Sequence, residues 1–196
     1  MHPELLSLSL FMLVTSCSPG PNNIVASYSG FNFGIIKTFP HMLGVIFGFT
    51  LMICVINFGL INIFKAYPLI QQILKVSGSI FLVYLAYKIA FSENTQEKRN
   101  ENPVKFFETF FFQFLNPKGV IVGIIIVSTY VESGNNFINY SFWVILVSFV
   151  CAFISITFWT FVGKFFRRFA TNDKFIKGFN YVMATLLLAF ITTFYI

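Results

Sequence analysis

The fold of this chain is decided by an interruption in its first apolar segment, "SCSPGPNNIVAS", residues Ser16 to Ser27. Two prolines, a glycine and two asparagines stand where a membrane helix should continue unbroken. Proline removes a backbone donor and clashes with the preceding turn, so it kinks or breaks a helix. Within hydrocarbon, the carbonyls that a break frees are tolerated only where they line a cavity or meet protein partners. The stretch therefore predicts an unwound segment beside a cavity.

The composition around this segment is typical of a membrane protein. Of the 196 residues, 57% are hydrophobic and 10% are charged, whereas soluble domains carry about 25% charged residues. The net charge of +6 comes from basic residues that lie between the apolar runs, so we attribute it to membrane topology rather than to nucleic-acid binding. The three cysteines and two histidines form no disulfide framework and no metal-ligand spacing. We expect no metal, no cofactor and no enzymatic activity.

Six segments are apolar enough to cross a membrane as helices of about 20 residues. They are residues 4–29, 42–64, 70–91, 106–131, 139–163 and 176–196. The polar connectors between them are too short to build a soluble core of their own. We therefore expect an all-α membrane protein that forms a single domain over residues 1–196.

The basic residues predict the orientation of these six spans. They concentrate after the first, third and fifth segments, for example at Lys98 and Arg99 and at Arg167 and Arg168. Because Lys and Arg favour cytoplasmic loops, we expect the odd-numbered connectors in the cytoplasm and both termini outside it.

A second proline-asparagine motif indicates an internal repeat. Pro19 in "PGPNN" and Pro117 in "LNPKG" are 98 residues apart, which is half the chain. Three spans in each half force the second half to insert upside down relative to the first. Inverted repeats with matching broken helices are the best sequence pointer to a transporter's midplane site. We expect repeat halves of about 1–98 and 99–196, with helices 1 and 4 broken.

The two breaks define the candidate site. A half-helix that begins after a break presents free amides and a partial positive charge, which suit a carboxylate, and Asn22 or Asn23 is expected to cap it. The carbonyls before the break suit an ammonium group. A lysine in the middle of a span is costly, so we expect Lys118 to face a polar cavity and to pair with an anion or a backbone carbonyl. The expected substrate-binding residues are Pro19, Gly20, Pro21, Asn22, Asn23, Asn116, Pro117 and Lys118.

Purely structural explanations stand beside this interpretation. Proline kinks can serve packing alone, and a lysine can snorkel to the membrane interface. Interhelical hydrogen bonds explain Asn57 and Gln113 without a substrate, and the pair Gly44 and Gly48 predicts close helix packing.

Two motifs resemble those of one known family. "SPGPNNIVASYSGFNFGIIKTFPHMLGVIFGF" (Ser18 to Phe49) is similar to the signature of the LysE/RhtB family of bacterial amino-acid exporters, and "FFETFFFQFLNPKGVIVGI" (Phe106 to Ile124) is similar to its fourth-span motif. The resemblance covers the whole chain. It implies a multi-pass protein of the bacterial cytoplasmic (inner) membrane that exports amino acids, driven by the proton motive force.

Asn22 marks a branch within that family. Many members have "PGPD", with an acid where this chain has Asn22, and "PGPNN" resembles the branch that exports cysteine and O-acetylserine. If the acid carries the coupled proton in other members, this chain must use another group.

The sequence thus predicts a secondary transporter that exports small neutral amino acids, with an amino-acid substrate and the lipid bilayer as partners. The alternatives are a six-helix membrane thiol or electron carrier, which needs two cysteines able to meet, and a passive pore. Whether the chain works alone or as a homodimer stays open.

Overall fold

The computed structural model describes residues 2–60, 67–92, 104–132 and 134–195, and within these ranges every regular element is helical. A π-helical turn, Ile56–Leu60, follows the second of seven α-helices. The α-helices are α1 (Leu5–Cys17), α2 (Pro21–Val55), α3 (Pro68–Ala90), α4 (Phe106–Leu115), α5 (Pro117–Tyr130), α6 (Phe137–Arg167) and α7 (Asp173–Thr192). The predicted end of the second span, at residue 64, lies outside the described residues.

Both predicted helix breaks are present, and after each of them a helix begins at a proline that follows an extended residue. Helix α2 begins at Pro21 after an extended Gly20, and α5 begins at Pro117 after an extended Asn116. Proline suits the first helical position because its missing N–H would have no helical partner there. Helices α4 and α5 meet at a bend of 62°. The matching prolines are therefore Pro21 and Pro117, whereas the sequence pattern pairs Pro19 with Pro117.

The number of spans that length and composition support is smaller than six. Four helical stretches within the described residues are long and apolar enough to cross a membrane, and the bent pair α4–α5 makes a fifth. Helix α1 has 13 residues, fewer than the roughly 20 that a crossing needs. The stretch Pro21–Gly59 counts as one span although it has 39 residues.

The chain nevertheless reverses direction inside α2. Gly34 leaves helical geometry with φ 76° and ψ 177°, a backbone conformation that glycine adopts readily. A straight helix would place Asn22 and Gly48 about 39 Å apart. Instead, Asn22 bonds to the Gln113 side chain, and a Cβ at Gly48 would lie 2.8 Å from the same side chain. The segments before and after Gly34 therefore lie side by side.

Glycines allow the helices to approach closely. A Cβ added at Gly44 or Gly48 would lie 2.5 or 2.6 Å from a backbone oxygen of α4, which confirms the predicted close packing. Gly30 and Gly163 similarly bring α2 against α6. Three buried apolar clusters fill the interior, and one of them joins Ala26, Met42 and Ile156 across the reversal in α2. The predicted interhelical role of Asn57 is also confirmed, because its amide donates to Ser141 Oγ at 2.8 Å.

Candidate functional site

The four carbonyl groups from Ser16 to Pro19, at the end of α1 and in the break after it, each accept a hydrogen bond from a side chain of another helix. The last carbonyls of any helix lack intrahelical partners, and in a membrane each must be satisfied within the protein. Ser16 O accepts from Asn23 and Ser155, at 2.8 and 2.7 Å. Cys17 O accepts from Trp159 Nε1 at 3.0 Å. The broken end is thus held by α2 and α6.

Lys118 supplies the remaining donors to this end of α1. Its Nζ donates to Ser18 O at 3.0 Å, to Ser18 Oγ at 2.8 Å and to Pro19 O at 3.1 Å. A Cβ at Gly20 would lie 3.0 Å from Nζ, so a larger residue there would require the lysine to shift by a few tenths of an ångström. The prediction that Lys118 pairs with a backbone carbonyl is confirmed. The ammonium group that occupies the carbonyls before the break is therefore the protein's own.

The two asparagines face other helices and do not cap α2. Gly20 is the N-cap residue, and no side chain caps this helix end. Asn23 Nδ2 donates back to Ser16 O and Ser18 O at 2.8 and 2.9 Å. Asn22 and Gln113 form a reciprocal amide pair, with bonds of 2.8 and 3.1 Å. The capping prediction is wrong because Gly20 takes the N-cap position, and both asparagines lie within the first helical turn, where their side chains bond to Gln113 and to the end of α1.

A cavity lies where the two breaks meet. It has an empty volume of about 530 Å³, part of which is open to the outside. Its walls come from five helices and the two breaks, and combine polar and apolar side chains. They are Thr15, Ser16, Gly20, Pro21, Asn22, Asn23, Val45, Phe49, Gln113, Asn116, Lys118, Gly119, Val122, Ala152, Ser155 and Ile156.

The first turns of α2 and α5 both border this cavity. In α2 the first helical bond runs from Ile24 N–H to Gly20 O, and in α5 it runs from Val120 N–H to Asn116 O. The backbone amides of Asn22 and Asn23 precede that bond and have no acceptor within their helix. Two helix N-termini and the Lys118 ammonium thus make this part of the cavity favourable for an anion.

Asn116 provides the complementary group. Its side chain is 3% exposed, and its Oδ1 atom is buried without a hydrogen-bond partner. An unsatisfied buried acceptor is unfavourable, so a donor that enters the cavity would relieve it. The cavity therefore offers positive ends for a carboxylate and a free acceptor for an ammonium group.

The structure places six of the eight expected site residues along this cavity. Pro19 and Pro117 are not among the residues that line it. Pro19 is exposed and contributes only its carbonyl oxygen to Lys118, whereas Pro117 begins α5.

Sequence reasoning missed Ser155, which lines the cavity, and Trp159, which holds the end of α1 from outside it. Both lie on α6 and bond to the end of α1, about 140 residues earlier in the chain. A serine or a tryptophan within an apolar run carries no specific signal, although Trp159 is one of only two tryptophans. The predicted interhelical role of Gln113 is confirmed, and Gln113 also lines the cavity.

The three cysteines, Cys17, Cys54 and Cys151, are free thiols. The electron-carrier alternative requires two cysteines able to meet, and the family match below does not favour it. Within the described residues, no group of three or more His, Cys, Asp or Glu side chains could hold a metal ion.

Comparison with known proteins identifies the family. The LysE type translocator model matches residues 13–196. Cysteine/O-acetylserine efflux proteins from Escherichia coli O139:H28 (strain E24377A / ETEC), E. coli K12 and Salmonella paratyphi A (strain ATCC 9150 / SARB42) are each 32% identical to the chain. The first alignment covers 96% of both chains, and the other two cover 95% of both. No solved structure matches the chain.

Together with the apolar helices, this match indicates a multi-pass protein of the inner membrane. The match also confirms the expectation that the chain is a transporter and not an enzyme. The chain belongs to the LysE-type translocator family.

Proposed function

We propose that this chain is a secondary exporter that carries small neutral amino acids, of the cysteine and O-acetylserine kind, out of the cytoplasm. One observation carries the proposal: the two broken helices meet at a single cavity that combines a free buried acceptor with two helix N-termini. The relatives at 32% identity are cysteine/O-acetylserine efflux proteins, which supports the choice of substrate class.

The substrate fits the cavity in one orientation. Its carboxylate points to the N-termini of α2 and α5, where Lys118 adds positive charge. Its ammonium group donates to Asn116 Oδ1, because the α1 carbonyls are already occupied. A small side chain then lies against Val45 and Phe49.

The proposed substrate-binding set keeps all eight residues expected from the sequence. Asn22, Asn23, Asn116 and Lys118 act through their polar groups, and Gly20 leaves room for the Lys118 side chain. The prolines act indirectly. Pro21 and Pro117 start the half-helices, and Pro19 provides a carbonyl for Lys118.

We also propose that the proton motive force drives export and that Lys118 carries the coupling proton. Among the described side chains that line the cavity, Lys118 is the one that titrates. A Lys118 that loses its proton loses its charge and one of its three N–H donors, so its contacts with the α1 end weaken, which would couple protonation to the geometry of both breaks.

Finally, we propose the full topology: one domain of six spans, built as two inverted halves of about 1–98 and 99–196, with both termini outside the cytoplasm. The reversal at Gly34 supports it, because it separates a first span of α1 and the start of α2 from a second span. The matched breaks at Pro21 and Pro117 support the repeat.

Export from cells loaded with a panel of amino acids tests the function. Wild type should accumulate cysteine and O-acetylserine outside against their gradients, and an uncoupler should abolish this accumulation. Lys118→Ala and Asn22→Ala should lose most of the export, whereas Asn57→Ala, a buried amide that bonds Ser141 away from the cavity, should retain it.

Two results would contradict the proposal. Export that merely equilibrates the substrate would indicate a passive pore. If both cavity variants exported as well as wild type, the proposed substrate-binding site would be wrong, although the family assignment would stand.

A further inference from the structure

A second, apolar groove lies between α6 and α7, away from the cavity at the breaks. It has an empty volume of about 890 Å³, which includes its open side. Phe166 and Val182 on its rim are 43% and 54% exposed, so the groove opens at the outer surface of the helix bundle. Its lining residues are Ser27, Trp159, Val162, Phe166, Phe175, Gly178, Phe179, Val182 and Met183.

One end of this groove adjoins the most basic part of the chain. Between Lys164 and Lys177 the sequence has five cations and one acid, Asp173. Lys164, Arg168, Lys174 and Lys177 are exposed. The segment spans the end of α6, the connector and the start of α7, so its charges lie at one end of the groove.

Arg167 is the cation of this segment that turns inward. Its guanidinium lies 5.4 Å above the centre of the Phe31 ring. Phe31 in turn stacks on Phe179, a lining residue of the groove, with ring centres 3.9 Å apart. The Nη1 atom of Arg167 is buried and has no hydrogen-bond partner. A buried charged donor without an acceptor is unfavourable, so an anion bound next to Nη1 would be stabilising.

The two features together define the ligand. An anion satisfies Arg167 but leaves the apolar groove empty, and a neutral hydrocarbon chain fills the groove but leaves Arg167 unpaired. A phospholipid joins both groups in one molecule. The surplus of exposed cations favours a headgroup with net negative charge over a zwitterionic one, because each basic residue near the surface attracts anionic lipid.

We propose that the groove between α6 and α7 is a binding site for an anionic phospholipid. Arg167 binds the phosphate, the neighbouring Lys and Arg side chains favour a net negative headgroup, and one acyl chain lies along Phe166, Phe179 and Val182. This site is independent of the proposed substrate and of its export.

The groove contains its own fluorescent reporter. The chain has two tryptophans, and Trp159 lines the groove. In a Trp143→Phe background, the intact protein in neutral detergent is titrated with phosphatidylglycerol or phosphatidylcholine, each with brominated acyl chains that quench tryptophan. We expect half-maximal quenching at a mole fraction of phosphatidylglycerol about fivefold or more below that of phosphatidylcholine.

Variants of the groove separate the contribution of the acyl chain to binding from that of the headgroup. A Cβ at Gly178 meets no atom within 4 Å, so Gly178→Leu should fold, fill the groove and weaken quenching by both lipids. Arg167→Gln should weaken quenching by both lipids, because both carry the phosphate that Arg167 binds, whereas the double variant Lys174→Gln and Lys177→Gln should reduce the preference for phosphatidylglycerol. Lys37→Gln, which changes an exposed cation of α2 close to the reversal at Gly34, is the matched control and should keep the preference.

Three results would overturn the proposal. The first is equal quenching by phosphatidylglycerol and phosphatidylcholine in the protein that retains Arg167. The second is loss of the preference when millimolar inorganic phosphate is added, beyond the effect of sodium chloride at equal ionic strength, which indicates a free-anion site. The third is a dimer, detected by light scattering, that Gly178→Leu dissociates, which assigns the groove to a second copy of the chain.

Discussion

The Lys118 ammonium group contacts Ser18 at two atoms, the carbonyl oxygen at 3.0 Å and the hydroxyl at 2.8 Å. The two residues are 100 positions apart, one at the start of α5 and the other at the end of α1. This contact joins the two helix breaks through a single side chain.

Lys118→Met should destabilise the protein as well as stop export. The substitution removes three hydrogen bonds and leaves Pro19 O without this donor. Loss of bonds to a charged donor should lower the free energy of unfolding by about 1–3 kcal/mol. Denaturant unfolding in detergent measures this change. Unchanged stability would mean that Lys118 does not hold the breaks together.

Lys118→Arg should separate the structural role of this residue from its proposed role in coupling. Arginine supplies donors to the same carbonyls but does not lose its proton. We expect near-normal stability, with export that equilibrates the substrate and no longer concentrates it. The measurement is substrate accumulation outside loaded cells with and without an uncoupler. Uncoupler-sensitive accumulation by this variant would exclude Lys118 as the proton carrier.

Asn116→Ala should reduce export without the loss of stability that we expect for Lys118→Met. Asn116 Oδ1 has no partner in the structure, so its removal leaves no other group unsatisfied, and removing it costs little. We expect the unfolding midpoint to stay close to wild type while export falls at least tenfold. A variant that is as active as wild type would remove Asn116 from the proposed site.

The amide pair between Asn22 and Gln113 should show energetic coupling. Because each side chain donates to the other, a double-mutant cycle with alanine should give a coupling free energy of about 0.5–2 kcal/mol. Unfolding of the two single variants and the double variant measures it. Asn57→Ala, whose partner is Ser141, is the control and should be additive with Asn22→Ala.

Gly48→Ala should be destabilising and Gly178→Ala should not. A Cβ at residue 48 would lie 2.6 Å from Phe110 O, whereas a Cβ at residue 178 meets no atom within 4 Å. Overpacking of this kind typically costs about 1–3 kcal/mol. Comparison of the two thermal unfolding midpoints checks the prediction, and equal midpoints would contradict the tight α2–α4 contact.

The helix breaks and the acceptor type of Lys118 were predictable because their causes are local. Proline interrupts a helix in any surroundings, and a lysine within a span must find polar partners. Six of the eight expected site residues line the cavity because they belong to these two breaks.

The donors to the α1 end were not predictable. Ser155 and Trp159 reach Ser16 and Cys17 only because glycines bring α2 and α6 into close contact. That packing depends on the three-dimensional arrangement and has no signature in either segment. The capping prediction failed for a related reason, because Gly20 takes the N-cap position and frees both asparagines for tertiary contacts.

The reversal at Gly34 has a consequence for how the chain enters the membrane during synthesis. Only this residue leaves helical geometry between Pro21 and Val55, so no hydrophilic loop separates the two antiparallel segments. The membrane-insertion machinery therefore meets no polar loop that could stay on one side of the membrane while the second segment inserts. We expect the two segments to leave the ribosome and partition into lipid as one preformed helical hairpin.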